Sequence, residues 1–309
     1  MTSLKDAAKS LHDGYVVAFP TETVYGLGAD ATNQKAVLRI FEIKNRPSDH
    51  PLIVHINSID QLEDWAINIP EYAYALAEKY WPGPMTLILN RSSNAKDWIT
   101  GGQDTVGIRI PNHEMALSLI EEFKKIGSGA IAAPSANKFG KVSPTSYQHV
   151  KEELSRDLSA NDMILDGGNS SIGIESTIID CTQSKPKILR PGFITNKMVE
   201  ETTGLFLLDS VTNIRVSGSF KSHYAPKAKV LLDIEPQPGD GFIAQAEFET
   251  PANVIRLIAP KNVEEFAQNL YFAFRKADEK DLSRIVVKQP LGDNLALAIR
   301  DRLLKASNN

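Results

Sequence analysis

A single cysteine in 309 residues, Cys181, excludes an intramolecular disulfide and fits a reducing compartment. It follows the apolar run Ile178-Ile179-Asp180 and reads as a buried, inert thiol rather than a nucleophile. Paired cysteines and a His-Glu-x-x-His run are both missing, so a zinc centre is not expected. No apolar run approaches the ~20 residues that cross a bilayer, and residues 1–9 lack the apolar stretch of a signal peptide. The chain is expected in the cytoplasm and off the membrane. A basic excess is missing too: a formal charge of −4 and a pI near 5.9 argue against a large nucleic-acid footprint. Small anionic ligands are unaffected by that balance, because they need only a few well-placed cations. Neither Gly-x-x-x-x-Gly-Lys-Ser/Thr nor Gly-x-Ser-x-Gly occurs, which excludes a P-loop and a hydrolase nucleophile elbow. Gly26-Leu27-Gly28 echoes a dinucleotide fingerprint, but it comes six residues after its strand rather than immediately.

Hydrophobic content of 42% is enough for a core that needs no staples, and the length suits two domains. Up to about residue 200, strand-like and helix-like runs alternate. Strands are expected at 15–19, 51–56, 85–89, 106–110, 130–133, 173–180 and 187–189, and helices at 33–41, 71–81, 115–125 and 146–154. The alternation predicts a mixed α/β sheet with helices packed on it. The pattern breaks from about 204 to 227. Strands at 229–232, 253–258 and 284–287 and helices at 262–277 and 293–306 then form a second, smaller α/β unit. Its last helix starts with Asp293 and carries Arg300, Arg302 and Lys305 near its end, which complements the helix dipole.

Two polar clusters stand at the edges of apolar runs. Lys44-Asn45-Arg46-Pro47 offers two cations one residue apart, followed by Ser48, Asp49 and His50. About ninety residues later Pro134-Ser135-Ala136-Asn137 offers a hydroxyl and an amide. Cations and small polar groups on loop ends suit a phosphate ligand. Each has a plainer reading: Lys44 as a cation closing a helix, Ser135 and Asn137 as turn chemistry. Arg109 sits within Val106-Gly107-Ile108-Arg109-Ile110, where burial demands a partner, either a protein carboxylate or a substrate carboxylate. His55 lies on a strand, Ser176 and Thr177 interrupt one, and Arg190-Pro191-Gly192 ends another. The loop Gly140-Lys141-Val142-Ser143-Pro144 is a candidate phosphate rim.

Together with Pro20-Thr21-Glu22-Thr23-Val24-Tyr25-Gly26, these motifs resemble the YrdC-type threonylcarbamoyl-AMP synthases, whose hallmark pair is Lys-x-Arg with Ser-x-Asn. Ser222-His223-Tyr224-Ala225-Pro226-Lys227 resembles the linker of the long, two-domain members, and 291–303 the end of their C-terminal domain. The resemblance implies a YrdC-like twisted mixed sheet over 1–204, a linker or lid at 205–227, and a small Rossmann-like α/β domain at 228–309. It implies that Thr23, His55, Arg109, Ala133 and Ser176 contact L-threonine. Lys44, Arg46, His50, Thr105, Ser135, Asn137, Ser143, Arg190 and Tyr224 would surround ATP, with Lys44 and Arg46 the catalytic cations. Mg²⁺ would arrive on the triphosphate. Bicarbonate or CO2 would be the third substrate, and tRNA-threonylcarbamoyl transferase machinery would take the product, with weak tRNA binding allowed.

Two rival readings come with the resemblance. One is a non-enzymatic module for double-stranded RNA or tRNA, which the acidic pI and few aromatics disfavour. The other is the carbamoyl-adenylate former of hydrogenase maturation, whose extra modules this cysteine-poor chain has no room for.

Overall fold

Along the central strands of the first unit, alternate residues enter different hydrophobic clusters, as the two-residue period of a strand requires. Ala18, Leu27, Ala29, Val54 and Ala132 face one way, against the helices Gln34–Lys44 and Glu71–Tyr80 through Val37, Ile40 and Leu76. Val17, Phe19, Ile131 and Ala133 face the other way, against Leu4–His12 and Glu114–Lys124 through Leu11, Leu119 and Phe123. The structure is a computed structural model and describes residues 3–209, 212–218 and 223–308.

Among these residues the first sheet has ten strands. Its order is Lys187–Arg190, Thr177–Asp180, Met85–Arg91, Thr105–Arg109, Ile53–His55, Ile131–Ala133, Gly26–Asp30, Val17–Phe19 and Met163–Ile164, with Ala66–Ile67 paired to Met85–Arg91. It is mixed: Ile53–His55 runs parallel to Thr105–Arg109 and antiparallel to Ile131–Ala133. The helix Gln34–Lys44 is capped by Asn33, whose side chain accepts from the Ala36 amide, and ends at Asn45 in the left-handed region with φ 51°.

The second sheet is parallel throughout, in the order Lys229–Leu232, Arg284–Val287, Gly241–Ile243, Ile255–Ile258. The helices Val263–Glu279 and Leu295–Ser307 cover it. One apolar cluster joins the two units: Val24, Val142 and Ile174 of the first pack with Leu270, Phe274 and Leu303 of the second.

Several elements depart from the sequence expectation. Gly26–Asp30 is a strand in mid-sheet, so its two glycines serve sheet packing rather than a phosphate turn. The strand expected at 173–180 spans only Thr177–Asp180. Gly173 has φ 82°, and a Cβ there would stand 2.4 Å from the Gln268 Cα, so the chain turns tightly against the second unit instead of extending. The helix Asn196–Thr203 and the strand Gly241–Ile243 are further elements that periodicity does not announce, whereas Leu4–His12 carries the helical spacing Leu4, Ala7, Ala8, Leu11 and adds to the expected set. Cys181 is buried, and burial pushes its thiol well above the ordinary value, as expected of an inert side chain. Among the described residues no helix is long and apolar enough to cross a membrane.

Candidate active site

Sheet register builds the floor. His55 stands opposite Arg109 on the parallel neighbour, and Ile53 stands opposite Ala133 on the antiparallel one. These four side chains line one cavity, with Thr23 and Gly26 from the adjoining segment. The Phe19 ring meets His55 edge-on, with centroids 5.6 Å apart. Burial, then the charge of Arg109, push the His55 pKa down to about 3, so its imidazole is neutral. Its Nδ1 lies 3.1 Å from the Ile53 carbonyl.

Arg109 has a protein carboxylate beside it: Nη2 is 2.7 Å from Glu22 Oε2, and both side chains are buried. The contact is misaligned for hydrogen bonding. Among the described residues neither Glu22 oxygen has a hydrogen-bond partner, nor do Arg109 Nε and Nη2. A close but badly aimed pair leaves part of the guanidinium fork open to a second carboxylate.

The two hallmark clusters are bonded to each other. Lys44, buried at the last turn of its helix, donates from Nζ to the Ser135 carbonyl at 2.6 Å and also to the Asn137 carbonyl. Asn137 in turn donates from Nδ2 to the carbonyls of Lys138 and Lys141, each at 2.8 Å. Burial, then the neighbouring Arg46, lower the Lys44 pKa well below its ordinary value. Lys44 therefore holds the Ser-x-Asn loop against its helix and does not itself line the cavity.

Two further guanidiniums converge on the connecting segment between the domains. Arg46 Nη2 donates to Ser217 Oγ at 3.2 Å, and Arg190 Nη1 donates to the Ser217 carbonyl at 3.0 Å. Arg190 also donates to the Ser176 carbonyl at 3.0 Å and to Ser176 Oγ at 3.1 Å. Burial lowers Arg46 to about 10. Tyr224 completes the wall from the far end of the segment, with φ 61° and burial that raises its phenol to about 12. Its hydroxyl has no hydrogen-bond partner among the described residues.

Of the residues singled out in the sequence, Thr23, His55, Arg109, Ala133 and Ser176 share the cavity. So do Arg46, Ser135, Arg190 and Tyr224. Ser143 stands just behind, donating to Glu175 Oε1 at 2.6 Å. His50 lies beside Phe139, with ring centroids 5.3 Å apart, and Thr105 lines a small neighbouring hollow roofed by Arg215, Val216 and Ser217. Ser222 falls outside the described residues.

Sequence reading left four groups unassigned: Glu22, Glu175, Ser217 and Arg302. Arg302, read as a cation complementing its helix dipole, is instead fully buried and donates from Nε to Glu175 Oε2 at 2.9 Å. The signal was available. Leu295, Ile299, Arg302, Leu303 and Ala306 recur at helical spacing, which puts Arg302 on the apolar stripe.

Residues 9–192 match the family described as Telomere recombination, and residues 194–308 match the family described as Threonylcarbamoyl-AMP synthase, C-terminal domain. A threonylcarbamoyl-AMP synthase of Pyrococcus abyssi (strain GE5 / Orsay) is 41% identical, across 98% of this chain and 94% of that protein. One of Bacillus subtilis (strain 168) is 40% identical, across 98% of this chain and 92% of that protein. The crystal structure of P. abyssi Sua5 complexed with L-threonine superposes with a TM-score of 0.88 at 40% identity, covering 99% of this chain and 94% of that one. HypF in its phosphate- and nucleotide-bound form shares the fold alone: 19% identity, TM-score 0.52 and 29% of its length covered. Matched over both regions and aligned with these relatives along nearly its whole length, the chain belongs to the threonylcarbamoyl-AMP synthase family.

Proposed function

We propose that this protein condenses L-threonine, bicarbonate or CO2, and ATP into L-threonylcarbamoyladenylate, releasing pyrophosphate. The observation that carries the reading is the two-sided cavity. Neutral His55 and the partly open fork of Arg109 lie on one strand pair, while Arg46 from a loop and Arg190 from the end of the edge strand Lys187–Arg190 converge on the other side. Arg109 takes the threonine carboxylate, and Thr23, Ala133 and Ser176 shape the amino-acid pocket. Arg46 and Arg190 face the phosphates, with Ser135, Asn137 and Ser143 on the adjoining rim, and Lys44 fixes that rim in place.

The threonine amine adds to CO2 and loses a proton, giving a carbamate. A carbamate oxygen attacks the α-phosphorus, the bond from that phosphorus to the bridging oxygen breaks, and pyrophosphate leaves. The carbamate is already an anionic nucleophile, so no serine or cysteine nucleophile is needed. The protein's work is to hold two anions together and to neutralise charge growing on the leaving phosphates. Mg²⁺ would come with the nucleotide and help to neutralise its phosphates; the buried carboxylates Glu22 and Glu175 lie against Arg109 and Arg302. His50, Thr105 and Tyr224 bound the nucleotide once the connecting segment has moved to admit it. That segment now bonds both phosphate-side arginines and leaves a cavity of only about 50 Å³. It closes over the adenylate as a lid that keeps water out. The product feeds a tRNA-threonylcarbamoyl transferase in the cytoplasm, and contact with tRNA itself is at most weak.

The test is pyrophosphate release from ATP with and without L-threonine and bicarbonate, using serine as the control amino acid. Release that requires both supports the reading. Salt-sensitive tRNA binding without ATP turnover would replace it with the RNA-binding module.

A further inference from the structure

Glu175 is a carboxylate buried in the wall of the cavity, and its bonds come from both domains. Oε1 accepts from Ser143 Oγ of the first domain at 2.6 Å. Oε2 accepts from Arg302 Nε at 2.9 Å and from the Tyr271 hydroxyl at 2.9 Å, both on helices of the second domain. Arg302 also donates from Nη1 to Asp301 at 2.6 Å, and Nη2 stands 3.4 Å from the Glu175 carbonyl. Its guanidinium carbon lies 5.4 Å from the centre of the Tyr224 ring, which stacks on Tyr271 at 5.7 Å. On the first-domain side Glu175 also feels the charge of Arg190, which donates to Ser176 and to the Ser217 carbonyl.

A buried carboxylate will take the nearest cation that can satisfy it. Here two compete. Arg302 occupies Glu175 from behind, and Arg190 is thereby left to Ser176, to the connecting segment and to an incoming anion. The four arginines facing this region, Arg46, Arg109, Arg190 and Arg302, outnumber its two buried carboxylates, Glu22 and Glu175. Without Arg302 three arginines face the two carboxylates, so the positive surplus available to the phosphates falls from two to one.

We propose that Arg302 makes the C-terminal domain part of the working site: it is a positioning residue that holds Glu175 away from Arg190 and so keeps Arg190 free for the nucleotide phosphates. This rests on the assignment of Arg190 to ATP given above. Loss of Arg302 leaves Glu175 to capture Arg190, which weakens the ATP side, while the strand-borne Arg109 and His55 keep their own contacts.

The experiment compares the full-length wild type with Arg302→Met, Arg302→Lys, the Glu175→Gln/Arg302→Met double variant and Arg190→Lys as reference. ATP KM and kcat come from pyrophosphate release, L-threonine Kd from calorimetry, and Tm from thermal melts. For Arg302→Met the expectation is an ATP KM raised about tenfold or more and a threonine Kd within about twofold of wild type. The double variant should recover a large part of the ATP KM, because the orphaned carboxylate is gone. Arg302→Lys should lie between, keeping the charge and losing the fork; it carries the test if Arg302→Met does not fold. Threonine and ATP binding weakening in parallel with Tm, with no recovery in the double variant, would make Arg302 a structural residue only. An unchanged ATP KM in both Arg302 variants also overturns the inference. If Arg190→Lys leaves ATP KM unchanged, the nucleotide assignment itself has failed.

Discussion

Arg109 Nη2 lies 2.7 Å from Glu22 Oε2, yet neither oxygen of Glu22 is aligned to accept a hydrogen bond. The side chains are buried together, so the pair neutralises a charge without using up the guanidinium's geometry. Bidentate capture of a substrate carboxylate requires that planar fork, which lysine lacks. Arg109→Lys is expected to raise the L-threonine Kd about tenfold or more while changing ATP affinity about twofold or less, both read by calorimetry. Equal losses for the two ligands would remove Arg109 from the threonine site.

Lys44 and Asn137 illustrate a different kind of importance. The ammonium donates to two loop carbonyls and so ties the Ser135–Asn137 loop to the helix Gln34–Lys44, with Lys138 Nζ adding a bond to the Ile43 carbonyl. Lys44→Met keeps the buried bulk but strands those carbonyls, at about 1–3 kcal/mol for a buried group left unsatisfied. Urea unfolding should show that loss, and ATP KM should rise with it. A variant of wild-type stability with reduced kcat alone would point to direct contact with the reacting phosphates instead.

Gly218 has φ 82°, and a Cβ there would stand 2.2 Å from Tyr224 Oη. The segment closes over the cavity only because this position has no side chain. Gly218→Ala is expected to hold it ajar. Pyrophosphate release should then outrun recovery of intact adenylate, since water reaches the product, and comparing the two yields measures the leak. Matched yields in variant and wild type would show that closure does not protect the product.

The buried histidines fix a pH response. Burial pushes His55 and His223 from 6.5 down to about 3 and His149 down to about 4. Between those values the unfolded chain binds protons that the folded one refuses, so stability falls as pH drops through that window. The slope is up to about 1.4 kcal/mol per pH unit for each group. Glu175, held at about 2 against the opposing effect of burial by Arg302 and then Arg190, loses its contribution only below its ordinary 4.5. Tm should be level above pH 7 and decline from about pH 6.5 to 4.5, before that carboxylate protonates. His223→Gln should flatten the decline. A level Tm down to pH 4.5 in the wild type would contradict the buried neutral imidazoles.

Local pattern carried much of the fold. The strands at 106–110 and 85–89 and the helices at 71–81 and 115–125 follow from apolar spacing, because a residue's neighbours in sequence decide which face it can bury. Elements with weak spacing escaped: Gly26–Asp30 has two glycines and an aspartate in five residues, and becomes a strand only because Val17–Phe19 and Ile131–Ala133 flank it. The Lys-x-Arg and Ser-x-Asn clusters were visible as polar groups at the ends of apolar runs. Their relation was not, since a lysine and a carbonyl 93 residues apart show no spacing that links them.

Fold class, family and the inventory of charged groups available for anions were legible from the residues alone, because these depend on residue types and short spacings. Tertiary structure alone decided how each charge is used. Lys44 turned inward to hold a loop, Arg109 received Glu22 as a companion, and Arg302 came from a helix more than a hundred residues away to satisfy Glu175. A buried charge is governed by whatever counter-charge the fold brings within a few ångströms, and that distance exists only after the chain has closed on itself.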